Sequence, residues 1–185
     1  MTMDKFEEKT ITRQEIYNGK VIQVVVDDVS LPNGQRAKRE LVFHQGAVGI
    51  IAVTPENKLV LVKQYRKAIE QSILEIPAGK IEKDEPNALV TAMRELEEET
   101  HYRCESMNFI TKFVSSPGFS NEWLYLYEAV GLYKISTAEA LPQDDDEFLE
   151  LIELSLEEAK ARVDSGEICD AKTQYAILYL EMQSK

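Results

Sequence analysis

The chain has 185 residues, 44% of them apolar and 29% charged. That is the composition of a water-soluble folded protein, long enough for one domain with a small accessory piece. Its formal charge of -12 excludes the basic surface that nucleic acid or anionic lipid requires, and it repels a phosphorylated small molecule unless metal ions and placed arginines reverse the local field. The longest apolar run, "AVGIIAV", is too short to cross a bilayer, and the first residues lack a basic, apolar leader. Cys104 and Cys169 form no C-x-x-C pair and build no disulfide framework. A cytoplasmic protein with reduced thiols and neither membrane nor nucleic-acid partner is expected.

In chain order, β-rich stretches at 20–30 and 37–44 flank the turn residues Pro-Asn-Gly of "LPNGQ" and predict a hairpin. Strands are expected next at 47–53 and 59–64, around the polar turn "PENK", and at 72–76, where "SILEI" stops at Pro77, Ala78 and Gly79. From Asn87 to about Thr100, Leu89, Ala92, Met93 and Leu96 recur at i, i+3, i+4 and i+7, which predicts a helix. Further strands are expected at 107–114, 123–130 and 147–154. Ser155 with Glu158 makes a capping box for a helix that Gly166 ends, and Asp170 caps a last helix with Ala171, Tyr175, Leu178, Tyr179 and Met182 along one side. The class is α+β with mostly antiparallel strands.

The stretch "RELEEET" at 94–100 crowds four glutamates into an already acidic chain. At about 100° per helical residue, Glu95, Glu98 and Glu99 share one face beside the apolar stripe, and Glu97 points away to solvent. Like charges at i and i+4 cost a helix a few tenths of a kcal/mol, and glutamates near its C-terminus oppose the macrodipole. Helix stability therefore does not explain the pattern. A hard divalent cation does, since Mg²⁺ takes oxygen ligands and keeps positions for phosphate oxygens. A plain solvated helix face remains the alternative from these seven residues alone. The upstream "EIPAGKIEKDE" favours the cation. There Gly79 permits unusual backbone angles and close approach, a bent strand end can aim the Ala78 carbonyl at the same ion, and Arg94 can hold Glu98 four residues on.

Gly79, Glu85, Arg94, Glu95, Leu96, Glu98 and Glu99 together resemble the Nudix box: a glycine, a glutamate, then Arg-Glu-aliphatic-x-Glu-Glu-x-Gly. "RELVFHQGAV", "VKQYRKAIEQSILEIPAGKIE", "SSPGFSNE" and "DDDEFLEL…DAKTQYAILYL" resemble segments of the ADP-ribose pyrophosphatase branch, so the likeness spans nearly the whole chain. Two positions depart from the pattern. Eight residues separate Glu85 from Arg94 where the box has seven, which leaves the role of Glu85 open, and His101 stands where the box ends in glycine. Glycine there would serve as a left-handed cap, and His tolerates that region at a small stability cost.

The resemblance implies a Nudix fold, a mixed β-sheet core sandwiched between helices over residues 46–185, with a small antiparallel β domain over 1–45 through which the branch forms homodimers. It implies Mg²⁺ or Mn²⁺ held by Glu95, Glu98, Glu99, the Ala78 carbonyl and Glu147, with Asp145 of "QDDDE" as the base and Arg94 and Glu98 as further catalytic groups. Arg66 resembles the residue that contacts the phosphates, Arg39 the one beside the adenine, and Glu75 one that contacts substrate. The implied reaction is hydrolysis of ADP-ribose to AMP and ribose 5-phosphate. Another nucleotide sugar or dinucleotide, or a non-catalytic nucleotide sensor, are the alternatives.

Overall fold

The computed structural model describes residues 4–143 and 147–184. The strands are β1 (Lys9–Asn18), β2 (Ile22–Ser30), β3 (Arg36–His44), β4 (Ala47–Ala52), β5 (Leu59–Arg66), β6 (Gln71–Glu75), β7 (Ala78–Lys80), β8 (Tyr102–Arg103), β9 (Ser106–Val114), β10 (Trp123–Val130), β11 (Tyr133–Lys134) and β12 (Glu150–Leu154). The helices are α1 (Ala88–Thr100), α2 (Leu156–Asp164) and α3 (Ala171–Gln183). The chain divides into two compact units. One comprises the chain up to Gly46 together with Phe113–Trp123, and the other comprises Ala47–Lys112 with Leu124–Lys185.

The first unit holds the antiparallel sheet β1-β2-β3. The expected hairpin is β2-β3, closed by a turn in which Gly34 has φ 83°. Along β2, Val25, Asp27 and Val29 are buried in alternation, as a strand with one inward face requires. Strand β1 was not foreseen, because its ten residues are all exposed and carry no alternation of apolar and polar types. It is held by its ladder to β2 and by Asp27, which accepts from Arg13 Nε and Nη2, both at 2.7 Å, and from Thr10 Oγ1 at 3.0 Å.

In the second unit, one sheet has the order β7-β4-β10-β9 and another β12-β5-β6, with the small pair β11-β8 beside them. Strand β4 runs parallel to β10 and antiparallel to β7. Its sequence "AVGIIA" is unbroken in apolar character because the strand is central and covered on both faces. Val48, Ile50, Ala52 and Val60 form the core with Ala92 and Leu96 of α1 and with Tyr102, Tyr127, Ala129 and Leu132. The expected strand at 147–154 begins only at Glu150.

Helix α1 starts at Asn87, whose side chain accepts from the N–H of Leu89 and Val90, and stops at His101, which takes the left-handed conformation at φ 56° and ψ 30°. Its buried face differs from the expected stripe. Ala92 and Leu96 are buried, but Leu89 and Met93 are exposed, and Thr91, Glu95, Glu97, Glu99 and Thr100 are buried instead. The helix turns its carboxylates inward and leaves part of its apolar stripe outside. Helix α2 has the expected capping box between Ser155 and Glu158. Helix α3 is capped by Asp170 but faces inward with Lys172, Thr173, Ala176 and Ile177, so that Tyr175, Leu178 and Met182 line the exposed side. Polar bonds made by its first turn to β6 fix that rotation.

Candidate active site

The site is built where β6 ends. The Ile50 N–H donates to the Pro77 carbonyl at 2.8 Å, which makes Gly49 and Ala78 the next, non-hydrogen-bonded pair of the β4–β7 ladder. In such a pair both backbone polar groups of a residue turn away from the partner strand. The Ala78 N–H donates to Glu99 at 3.0 Å, and its carbonyl faces the same side. One residue on, a Cβ at Gly79 would lie 1.8 Å from Oε1 of Glu95 and 1.9 Å from its Cδ. Gly79 does not have a left-handed φ. The expectation of unusual backbone angles is thus corrected: glycine is required because the Glu95 carboxylate occupies the space of a side chain.

Arg94 gathers the neighbouring acids. Its Nη1 lies 2.6 Å from Glu98 and 2.9 Å from Glu95, and its Nε donates to Glu85 at 2.8 Å. Glu85 lies in the loop that is one residue longer than the box pattern. It anchors Arg94 while also accepting from Thr91 Oγ1 at 2.6 Å and from the Glu82 N–H at 2.9 Å. Burial would raise its pKa, but these bonds hold it below the ordinary carboxylate value. The same acids push the Arg94 guanidinium further above its already high value, against the effect of burial.

Glu95 and Glu99 behave oppositely. Burial pushes Glu95 up to about 7, with Arg94 opposing and Glu98 and Glu147 reinforcing. Burial pushes Glu99 up to about 8, moderated by the Ala78 N–H and reinforced by Glu95 and Glu147. Glu147, on the segment before β12, is near enough for its charge to bear on both carboxylates. Asp145 lies outside the described residues.

Arg66 at the end of β5 forks onto Glu75 of β6, Nε to Oε1 at 2.5 Å and Nη2 to Oε2 at 3.0 Å. It also feels the charge of Glu99, which places it at the rim of the acidic group. Glu75 is 2% exposed and is shared with Lys172, which in turn reaches Asp170 at 2.9 Å. Burial would raise Glu75, but Arg66 and Lys172 bring it below the ordinary value. Lys172 was missed in the sequence, although a lysine two residues after the Asp170 cap opposes the helix dipole and so demands a partner. Arg39 belongs to the other unit, where Nε and Nη2 pair with Glu8 at 2.8 and 2.6 Å.

One expectation for α1 fails outright. Glu97 is 8% exposed, accepts from Arg103 through both oxygens at 2.7 Å, and accepts from the Leu141 N–H at 3.1 Å. A two-pronged ion pair tied to a loop amide, and not solvent, satisfies it.

Among the described residues no three His, Cys, Asp or Glu groups already form a metal-holding array. The donor set nonetheless fits a hard divalent cation: carboxylate oxygens, two of them nearly dry and favouring protonation at neutral pH, a carbonyl on the same side, and a glycine cradle a Cβ would fill.

Residues 43–171 match the NUDIX domain. The chain belongs to the Nudix family. Among its relatives, the methanol dehydrogenase activator of Bacillus methanolicus is 54% identical over 96% of this chain and 95% of that protein. The ADP-ribose pyrophosphatase of Bacillus subtilis (strain 168) is 50% identical over 98% of this chain and 96% of its own length. A crystal structure of an ADP compounds hydrolase superposes with a TM-score of 0.81, covering 96% of this chain and 94% of the other at 20% identity, and so shares the Nudix fold. The polar cluster just described thus sits on the Nudix helix α1 and the strand end that precedes it.

Proposed function

We propose that this chain hydrolyses the diphosphate of ADP-ribose: water attacks one phosphorus, the P–O bond of the anhydride breaks, and AMP and ribose 5-phosphate leave. The observation that carries the reading is the meeting of Glu95, Glu99 and the backbone of Ala78 around Gly79, with Glu147 and Arg66 beside them. The 50% identity to an ADP-ribose pyrophosphatase over nearly all of both chains supports this choice of substrate. Glu95, Glu98, Glu99, Glu147 and the Ala78 carbonyl are the ligands for Mg²⁺ or Mn²⁺. The ion, when bound, supplies Lewis acidity toward the diphosphate and makes the attacking water more acidic.

The chain's own groups do the rest. Arg94 keeps Glu95 and Glu98 in place, Arg66 contacts a phosphate, Arg39 serves the adenine, and Asp145 takes the proton of water. Glu75, expected to contact substrate, is 2% exposed and paired with Arg66 and Lys172, and its part is instead to orient Arg66. Residues 1–45 form the dimerisation domain of a homodimer acting in the cytoplasm. Among the described residues no helix is long and apolar enough to cross a membrane.

The test is incubation with ADP-ribose, NADH, ADP-glucose and GDP-mannose side by side, with Mg²⁺ or Mn²⁺ and with chelator. AMP and ribose 5-phosphate should appear fastest from ADP-ribose and only with metal. Faster cleavage of another compound replaces the substrate, and no cleavage of any replaces hydrolysis with nucleotide binding. Sedimentation at micromolar concentration tests the dimer, which a single monomeric species excludes.

A further inference from the structure

Lys172 and Asp170 belong to no part of the reaction assigned so far. Both lie at the start of α3, 97 and 95 residues beyond Glu75 in the chain, yet they complete a buried polar cluster with it. Glu75 is 2% exposed and Lys172 9% exposed. The neighbouring Thr173 Oγ1 accepts from the buried Ile76 N–H at 3.0 Å, so the first turn of α3 is locked to the end of β6 next to Ala78 and Gly79. A lysine brought this far from solvent, against its own helix dipole, loses hydration that only well-placed anions offset.

The charges show what Lys172 does. Arg66 feels three acids, Glu75, Glu99 and Asp170. With Arg66 as their sole counter-ion, Glu75 and Asp170 would leave this corner net negative beside Glu95 and Glu99. Lys172 balances the buried Glu75 and the half-buried Asp170, two carboxylates, against two cations. It also pins Oε2 of Glu75, the oxygen that Arg66 Nη2 uses, and so fixes the plane of the carboxylate on which the guanidinium fork is aligned. Nη1 of Arg66 takes no part in that pair, and the Arg66 side chain is 41% exposed.

We propose that Lys172 is a positioning residue for substrate: by sharing Glu75, it keeps Arg66 aligned and its positive charge available to a phosphate of the nucleotide. This rests on the reading of Arg66 as the phosphate contact. Lys172 touches neither substrate nor metal and acts through Glu75.

The test compares wild type with Lys172→Gln and Lys172→Met, each alone and combined with Glu75→Gln. Steady-state kinetics on ADP-ribose are paired with calorimetric binding of its α,β-methylene analogue, and circular dichroism reports the fold. Two uncharged replacements are used so that misfolding of one leaves the other. Loss of Lys172 should raise KM and weaken analogue binding about tenfold, with kcat within about threefold. In the Glu75→Gln background the same change should cost less than about threefold, because the charge on which it acts is gone. KM and affinity within twofold of wild type in a folded variant overturn the proposal, as does an equal loss in both backgrounds. Failure of the wild type to cleave ADP-ribose is a separate result that removes the functional reading. The variants are then compared on whichever compound of the panel is cleaved.

Discussion

Gly79→Ala adds one methyl group at the most crowded point of the site. Its carbon would fall 1.8 Å from Oε1 of Glu95, whereas ordinary contact begins at 3.4 Å, so the carboxylate must retreat by at least the difference, 1.6 Å. Glu95 can do this by swinging the end of its side chain, because the obstacle is not backbone. The cost to the fold is therefore modest, about 1 kcal/mol, or a few degrees in Tm. The cost to chemistry is larger, since a misplacement of about 1 Å within a site lowers rates roughly a hundredfold. Initial rates of AMP release, a thermal melt and a Mn²⁺ titration on the same preparation separate the two effects. Activity within threefold of wild type would refute the assignment of Glu95 and its cradle, and activity lost only in step with unfolding would refute the claim that the damage is local.

In the metal-free chain, Glu95 and Glu99 titrate near 7 and 8, above their ordinary 4.5. The folded state then binds more protons than the unfolded one, so stability is full below about pH 4.5 and is lost progressively as pH rises through the two folded values, by several kcal/mol for the pair. Melts in chelator from pH 5 to 9 should show this fall and excess Mg²⁺ or Mn²⁺ should abolish it, whereas a flat profile in chelator contradicts the raised carboxyls. Glu99→Gln should cut turnover by several orders of magnitude with the circular dichroism spectrum unchanged, and near-normal turnover removes Glu99 as a ligand. Glu97→Gln should do the reverse, lowering Tm through its bonds to Arg103 and Leu141 while kcat stays within threefold. His101→Gly should raise Tm by about 2–4 °C, because His101 sits at φ 56° where glycine carries no strain, and an unchanged Tm means that the cap is relaxed as it is.

Elements with a local chemical cause were legible in advance. The helix at 88–100 follows from its period, its end at His101 from the tolerance of His for the left-handed region, and the starts of α2 and α3 from Ser155 with Glu158 and from Asp170. What failed depends on neighbours distant in sequence. Strand β1 forms only because Asp27 and the β2 ladder receive it, so its own residues carry no signal. A helical wheel ranked Leu89 and Met93 as buried and Glu97 as exposed, but a wheel cannot see Arg103 or the Leu141 amide. At the site, the acidic face of the "RELEEET" stretch was legible from spacing and resemblance. The contacts of Glu85 and Lys172 were not, because each is made to a partner on another element: Glu85 to Arg94, and Lys172 to Glu75.

The bonds between β6 and α3 tie residues 97 positions apart. Loops of that length close late, after shorter contacts have formed, because their entropy must be overcome before any bond between their ends is made. The last helix therefore works as a clasp. The pair of Glu75 and Arg66 spans nine residues and closes with the β5-β6 hairpin, whereas Lys172 reaches it only across the longer loop.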